Sequence, residues 1–160
     1  MKNILYINTA ASGGGAAAVM QRLNLLMNQR GASTYILTRQ PDMGHDPTLK
    51  IQDCGGLLSW CRWRGWQDYH IQRSHYLWRH ARFQQADILH LHNLHGDYFN
   101  PWSLPLLSTL KPTVWTLHDM QAITGHCAYA LDCNRWLPEI GCGHCPSISL
   151  YPRLWRDTSH

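Results

Sequence analysis

The chain has 160 residues, 44% of them hydrophobic and 15% charged, with a formal net charge of +4. That length suits about one domain with a sizeable core, and the composition excludes a disordered chain. No run approaches the roughly 18 apolar residues that span a bilayer, and no secretory signal is visible, so a transmembrane or exported protein is not expected. Six cysteines without an export signal indicate a reducing compartment, and we expect the chain in the cytoplasm.

The first quarter of the chain predicts a β-strand, a glycine-rich turn, a helix and a second strand. The strands fall on residues 4–8 and 34–38, which are short apolar runs, and the helix falls on residues 16–27. A β-α-β order of this kind predicts a parallel sheet. We therefore expect an α/β fold, a single Rossmann-like domain over residues 1–160 with helices flanking a parallel sheet.

The rest of the chain predicts further strands and a short helix. A weak strand is expected at residues 49–52 and a clearer one at residues 86–92. A short helix follows at residues 102–110, and an apolar stretch at residues 113–117 predicts a buried strand.

Residues 57–84 predict a pair of helices that Gly65 separates, and they carry five arginines, four tryptophans and one acid. Tryptophan and arginine together are typical of a peripheral contact with an acidic membrane surface, here the inner face of the membrane. Stacking on nucleic acid is a second interpretation, but we expect no nucleic-acid partner. The pattern favours a third, a helix pair packed on the sheet with a solvated basic face.

Polar residues and glycines follow three of the predicted strands. Gly13, Gly14 and Gly15 follow the first strand, His92, Asn93 and His95 follow the strand at 86–92, and His118 and Asp119 follow the last. Ligands bind at the carboxyl ends of the strands in open α/β sheets, so these residues form the candidate substrate-binding site. Glycines there let backbone N–H groups approach a phosphate at a helix N-terminus, although a tight strand-to-helix turn explains them equally well.

His118 and Asp119 are the sharpest of these signals, because an apolar strand seldom ends in such a pair without a reason. The imidazole can exchange a hydrogen bond with a sugar hydroxyl or a phosphate, and Asp119 can cap the next turn. The alternative is that Asp119 is only an N-cap and His118 a buried, hydrogen-bonded histidine. His90 and His92 alternate with leucines and so share one face of their strand, with His92 nearer the strand end.

Four cysteines fall within residues 126–146, and they are Cys127, Cys133, Cys142 and Cys145. The close spacing of the last two suits a tetrahedral zinc ion, with His126 and His144 as alternative ligands. We expect a structural zinc site that holds an irregular, cysteine-rich loop. Thiols without metal, or disulfides formed on oxidation, are the alternative.

Three segments of the chain form a recognisable set: residues 4–16, residues 87–96 and, most specifically, residues 114–152. The last contains Val114-Trp115-Thr116-Leu117-His118-Asp119-Met120, then Thr124-Gly125-His126-Cys127, Cys133, Arg135-Trp136, Gly141-Cys142, Cys145-Pro146 and Tyr151-Pro152. With these motifs the chain resembles the N-terminal half of the family-4 retaining glycosyltransferases of the GT-B fold, in particular the branch that builds bacterial exopolysaccharide of the colanic acid type. The resemblance covers nearly the whole chain and is weakest over residues 40–84.

The resemblance implies transfer of a sugar, with retention, from a nucleotide-sugar donor to a glycan or lipid-linked acceptor in exopolysaccharide or O-antigen biosynthesis. By position it places the three glycines, Gly13 to Gly15, toward the donor phosphates. It places the catalytic His118 near the transferred sugar and the segment from His92 to His95 on the acceptor side.

Two features depart from that family. Gln121 stands where the family has a tryptophan after His-Asp-Met. The family also has a C-terminal, donor-binding domain with a pair of glutamates, whereas Glu139 is the only glutamate in this chain. We therefore expect an acceptor-side domain that is inactive without a separate C-terminal half.

The alternative function is a non-catalytic, zinc-stapled α/β module that binds anionic glycans or a membrane surface. A nucleotide-binding oxidoreductase half is disfavoured, because the glycines do not form the G-x-G-x-x-G pattern.

Overall fold

The computed structural model describes residues 1–40, 56–137 and 142–158. Those residues contain one parallel sheet of four strands in the spatial order β2-β1-β3-β4. The strands are β1 (Asn3–Ala10), β2 (Ser33–Gln40), β3 (Ile88–Leu91) and β4 (Thr113–Trp115). Ile4 pairs with Thr34 on one side and Ile88 on the other, and Leu91 pairs with Trp115. The α/β fold with a parallel sheet is thus confirmed.

Four α-helices and two short 3-10 helices accompany the sheet in the described part of the chain. The α-helices are α1 (Gly15–Gln29), α2 (Gly56–Arg64), α3 (Ala81–Gln85) and α4 (Leu104–Leu110), and the 3-10 helices cover Arg73–Arg79 and Pro101–Ser103. None of the helices in this part is long and apolar enough to cross a bilayer.

Alternation along the strands places apolar side chains on both faces of the sheet. On one face, Tyr6 packs with Met20 of α1. On the other, Leu5 and Leu89 join a larger cluster that includes Phe83 of α3 and Leu107 of α4. Because helices cover both faces of the sheet, a ligand is expected to bind at the ends of the strands.

Glycines set both ends of α1. Gly13 and Gly14 have φ of 79° and 81°, a left-handed conformation that side chains disfavour, and they turn the chain from β1 into the helix. At the other end Gly31, with φ of 85°, donates its N–H to the Asn28 carbonyl while Ala32 donates to the Met27 carbonyl. This pair of bonds is the Schellman arrangement that ends many helices.

The expected helix pair at residues 57–84 forms only in part. The break at Gly65 is confirmed, since α2 ends at Arg64, but a 3-10 helix and the short α3 replace the second helix. The reason is tertiary: the Asp68 carboxylate accepts the N–H of Asp97, and the Ser74 hydroxyl accepts the N–H of Asn100. These long-range bonds hold the segment in a shape that local helical bonding does not allow.

The strand expected at residues 113–117 forms as β4, but the expectation that it is buried was wrong. β4 is the edge strand of the sheet, and Val114 is 53% exposed. The weak strand expected at residues 49–52 lies outside the described residues. Residues 116–137 and 142–158, which include the described part of the cysteine-rich region, contain turns and bends but no helix or strand.

Candidate active site

The carboxyl ends of β1, β3 and β4 meet at one edge of the sheet. Hydrogen bonds tie the first two of these ends together. The Thr9 hydroxyl donates to the His95 carbonyl at 3.0 Å, and the Asn8 side-chain oxygen accepts the Asn93 N–H at 3.2 Å. Asn8 is fully buried, so this bond also satisfies a polar group that has left water.

A cavity of about 400 Å³, which we call the inner cavity, opens at this edge. It is bordered by Gly13, Gly14, Gly15, Asn93, His95, His118 and Asp119, and also by Tyr129 and Tyr151. The structure therefore brings all the predicted substrate-binding residues except His92 to the inner cavity, together with His118. Binding by these residues stays a prediction.

The glycine turn presents an accessible backbone to the inner cavity. A methyl group added at Gly13, Gly14 or Gly15 would meet no atom within 4 Å. The helix that follows is 15 residues long and has no acid in its first turn. Backbone N–H groups and the positive end of the helix dipole therefore face a space where an anion can sit.

His92 is buried beneath His118 and does not border the inner cavity. The two rings lie edge to edge and nearly coplanar, with 17° between their planes and centroids 5.0 Å apart, and His92 Nδ1 lies 2.7 Å from His118 Nε2. Burial and the neighbouring His90 and His118 lower the pKa of His92 to about 4. Burial also lowers the pKa of His118, although the nearby Asp119 carboxylate has the opposite, smaller effect. Both rings are therefore neutral at pH 7.

The contact fixes which nitrogen of each ring carries hydrogen. His92 Nε2 is buried without a hydrogen-bond partner. An unpaired N–H in that position costs more than an unpaired lone pair, so the hydrogen of His92 belongs on Nδ1, which then donates to His118 Nε2. His118 consequently carries its own hydrogen on Nδ1. In this state His118 offers a substrate a hydrogen-bond donor rather than a base.

His95, Asp119 and Tyr151 form a second hydrogen-bonded set at the inner cavity. His95 Nε2 lies 2.7 Å from the Asp119 carboxylate, and both side chains are about nine-tenths buried. His95 Nδ1 lies 3.1 Å from the Tyr151 hydroxyl. The Asp119 carboxylate also accepts the Gln121 N–H at 3.0 Å, so it caps the next turn and contacts the histidine as well. A carboxylate that orients an imidazole is a common basis for proton transfer.

Sequence reasoning missed Tyr151 and the buried Asn8 and Thr9. Tyr151 lies 56 residues after His95, and no local pattern links the two. Its only signal was the Tyr151-Pro152 pair within the family resemblance. Asn8 and Thr9 were included in the first strand and its turn, where their side chains gave no sign that they hold the segment after β3.

The four cysteines lie around a second, small cavity of about 20 Å³, together with His126. His126 Nε2 lies 3.3 Å from Cys145 Sγ, and Cys142 Sγ accepts the Gly125 N–H at 3.1 Å. No described cysteine forms a disulfide. Within residues 1–40, 56–137 and 142–158, no group of three His, Cys, Asp or Glu side chains is arranged to hold a metal ion. The predicted zinc site is thus unsupported by the arrangement of the side chains and stays a prediction.

Comparison with known proteins decides the family. Residues 13–141, well over half of the chain, match the family model described as Glycosyltransferase Family 4. The chain belongs to glycosyltransferase family 4. It is also similar to the putative colanic acid biosynthesis glycosyl transferase WcaC of Escherichia coli (strain K12), at 36% identity over 80 residues. That match covers 46% of this chain but only 19% of WcaC. No solved structure matches the chain.

Membership of glycosyltransferase family 4 agrees with the resemblance to exopolysaccharide enzymes and with the Rossmann-like sheet. The matched range includes the glycine turn and the residues that follow β3 and β4, and it ends before Tyr151. The family 4 match therefore covers most of the inner cavity but not the tyrosine that closes one side of it.

Proposed function

We propose that this family 4 chain is the acceptor-side domain of a glycosyltransferase. The reaction would move a sugar from a nucleotide-sugar donor to a glycan or lipid-linked acceptor, in exopolysaccharide or O-antigen biosynthesis. The observation that supports this most is the inner cavity, where an accessible glycine turn faces His118, His95 and Asp119. A transferase of this kind needs an anion site for the donor phosphates and polar groups for sugar hydroxyls within one space.

Each part of the inner cavity has a role in this proposal. The N–H groups from Gly13 to Gly15 stabilise the negative charge of the leaving phosphate. His118 donates a hydrogen bond to a hydroxyl of the transferred sugar. Asp119 accepts a hydrogen bond from the acceptor hydroxyl, and His95, whose two ring nitrogens contact Asp119 and the Tyr151 hydroxyl, holds that carboxylate in place.

We also propose that a further domain or a separate chain holds the nucleotide. The resemblance implies a pair of glutamates on the donor side, and this sequence has one glutamate, Glu139. Stabilising the transition state then requires both faces of a cleft, and the 160 residues alone provide one. We expect no turnover by these residues alone.

Transfer assays with labelled UDP- and GDP-sugars test the proposal. The purified chain is compared with a longer protein that includes the region encoded directly downstream. Activity is expected only in the longer form, and His118→Leu, which removes the donor, should lower its kcat by roughly 10²-fold. His75→Leu, outside the inner cavity, is the matched control. Equal turnover by the 160-residue chain would overturn the need for a second half.

The alternative is a non-catalytic module, and the observation that favours it is the set of exposed tryptophans in residues 57–84, which are Trp60, Trp63, Trp66 and Trp78. In that case neither form transfers sugar, and the domain only binds anionic glycans or a membrane. For both functions we propose a cytoplasmic protein that contacts the inner face of the membrane through residues 57–84.

A further inference from the structure

A further cavity, distinct from the one lined by cysteines, lies beside the inner cavity and has a volume of about 380 Å³. We call it the outer cavity. Its walls come from α2 and the turn after it, from the Gly96–Asp97 turn, and from residues 151–155. Tyr151 lines both cavities and, through its hydrogen bond to His95, stands between them. A molecule in the outer cavity is therefore one side chain away from the reacting groups.

Three polar side chains of the outer cavity, those of Arg62, His70 and Asp97, lie close together without forming hydrogen bonds to one another. The Asp97 carboxylate lies 3.7 Å from the Arg62 guanidinium and 3.6 Å from His70 Nε2, both longer than a hydrogen bond. The His70 side chain is only 4% exposed, and its Nδ1 has no hydrogen-bond partner. The Arg62 and Asp97 side chains, which are 43% and 45% exposed, can therefore bond to a molecule in the cavity.

Backbone strain is concentrated at the same place. Asp68 and Asp97 have φ of 53° and 58°, in the left-handed region that residues with a side chain rarely adopt. The Asp68 carboxylate accepts the Asp97 N–H at 2.8 Å, so the two strained residues support each other. Burial and the neighbouring Asp97 raise the pKa of Asp68 to about 7. Strain of this kind persists where the surrounding structure requires one particular geometry.

Aromatic side chains complete the walls. Trp66 and Trp155 line the outer cavity and are 43% and 57% exposed. An aromatic face is suited to the C–H face of a sugar ring, while carboxylate and guanidinium groups pair with its hydroxyls. Two carboxyl groups, those of Asp68 and Asp97, and two guanidinium groups, those of Arg62 and Arg153, line the cavity, so it has no strong excess of positive charge that would favour a phosphate over a neutral sugar.

We propose that the outer cavity binds one neutral sugar ring of the acceptor, next to the ring that receives the transferred sugar. This inference rests on the proposed function. Asp97 and Arg62 bind vicinal hydroxyls, and Trp155 packs against the ring. The outer cavity therefore selects the acceptor by a ring that does not itself react.

The test uses the chain labelled with 15N, observed through its tryptophan indole N–H signals. Methyl glucoside, methyl galactoside and methyl mannoside are the probes, and the Trp66 and Trp155 signals are assigned with Trp→Phe variants. At least one glycoside should shift both signals. Asp97→Asn should weaken that binding roughly tenfold, as expected when a hydrogen bond to a charged group is lost. Asparagine tolerates the left-handed backbone, so this variant should still fold.

The controls are Asp132→Asn and Trp102→Leu, which change an exposed aspartate and an exposed tryptophan outside the outer cavity and should leave binding unchanged. Trp155→Leu is the second test variant and should weaken binding as Asp97→Asn does. No indole shift with any of the three glycosides, or unchanged binding in both test variants, overturns the inference. Sugar transfer by the longer protein without glycoside binding rejects the outer cavity alone, whereas glycoside binding without transfer by the longer protein rejects the proposed function alone.

Discussion

At the scale of single residues, the buried Nε2 of His92 determines what His118 can do. Our assignment of hydrogens gives His118 an Nδ1–H and an Nε2 that accepts from His92. We expect 15N NMR of the histidine rings at pH 7.5 to show this tautomer directly. In His92→Leu the donor is gone, and His118 should shift toward the Nε2–H tautomer that histidine favours in water. An Nε2–H tautomer of His118 in the unmodified chain would contradict the assignment.

The same histidines predict how stability depends on pH. Burial holds the pKa of His92 at about 4, below its unfolded value of 6.5, and lowers that of His90 as well. The unfolded chain therefore binds more protons between these values, and stability is complete above pH 6.5 and declines as pH falls toward 4. His92 alone should account for a loss of roughly 3 kcal/mol. Urea unfolding from pH 8 to pH 4.5 measures it, and His92→Leu should flatten the slope while His75→Asn leaves it unchanged.

At the scale of elements, local pattern was enough to predict all four described strands, but not the exposure of β4 or the path of residues 65–80. Short apolar runs identify a strand, and the strands at 4–8 and 34–38 were found within two residues of their ends. The exposure of β4 follows from its place at the sheet edge, which depends on the order of all the strands. The bend after α2 depends on bonds from Asp68 and Ser74 to partners about 30 residues away. Neither cause is local, so neither can be predicted from local pattern.

At the candidate active site, too, some features were predictable from local sequence pattern and others were not. Glycines and polar residues at strand ends were predictable, because parallel strands bring their carboxyl ends to one edge. The contact between His92 and His118 was not predictable. The alternation of side chains along a strand shows which face of the sheet a residue lies on, but not how completely its side chain is buried. Tyr151 reaches the site through a segment without helix or strand, whose path no periodicity describes.

The prediction at the scale of elements concerns zinc binding by the cysteine-rich region. If zinc binds Cys127, Cys133, Cys142 and Cys145, the purified chain should contain about one zinc per molecule, and a chelator should lower its melting temperature. Elemental analysis and thermal unfolding measure the two effects. Cys145→Ser should abolish the zinc, whereas Cys61→Ser, on α2, should retain it. A chain with no zinc and a melting temperature that chelation does not change would show that the thiols pack without metal.

At the scale of the whole molecule, tryptophans and arginines gather on one surface. Arg64 stacks over both Trp60 and Trp63, Arg156 stacks over Trp63, and Trp60 meets Trp66 edge to face. Through these contacts α2 and the segment near Trp155 form one patch, and α2 itself contains no acid. The patch also leads into the outer cavity, since Arg62, Trp66 and Trp155 belong to both. A lipid-linked acceptor at a membrane surface would thus lie next to the cavity proposed to bind it.

This patch predicts binding to anionic membranes, because tryptophan favours the bilayer interface and each arginine gains about 1 kcal/mol near an acidic surface. The chain should sediment with vesicles that contain phosphatidylglycerol, less so as salt is raised, and hardly at all with phosphatidylcholine alone. The double variant Trp63→Ala, Arg64→Ala should lower the bound fraction strongly. The double variant Trp102→Ala, Arg30→Ala is the matched control, since it changes an exposed tryptophan and an exposed arginine that lie outside residues 57–84. An equal loss in both double variants would mean that the contact is not made by α2, and equal binding to both kinds of vesicle would mean that charge does not direct it.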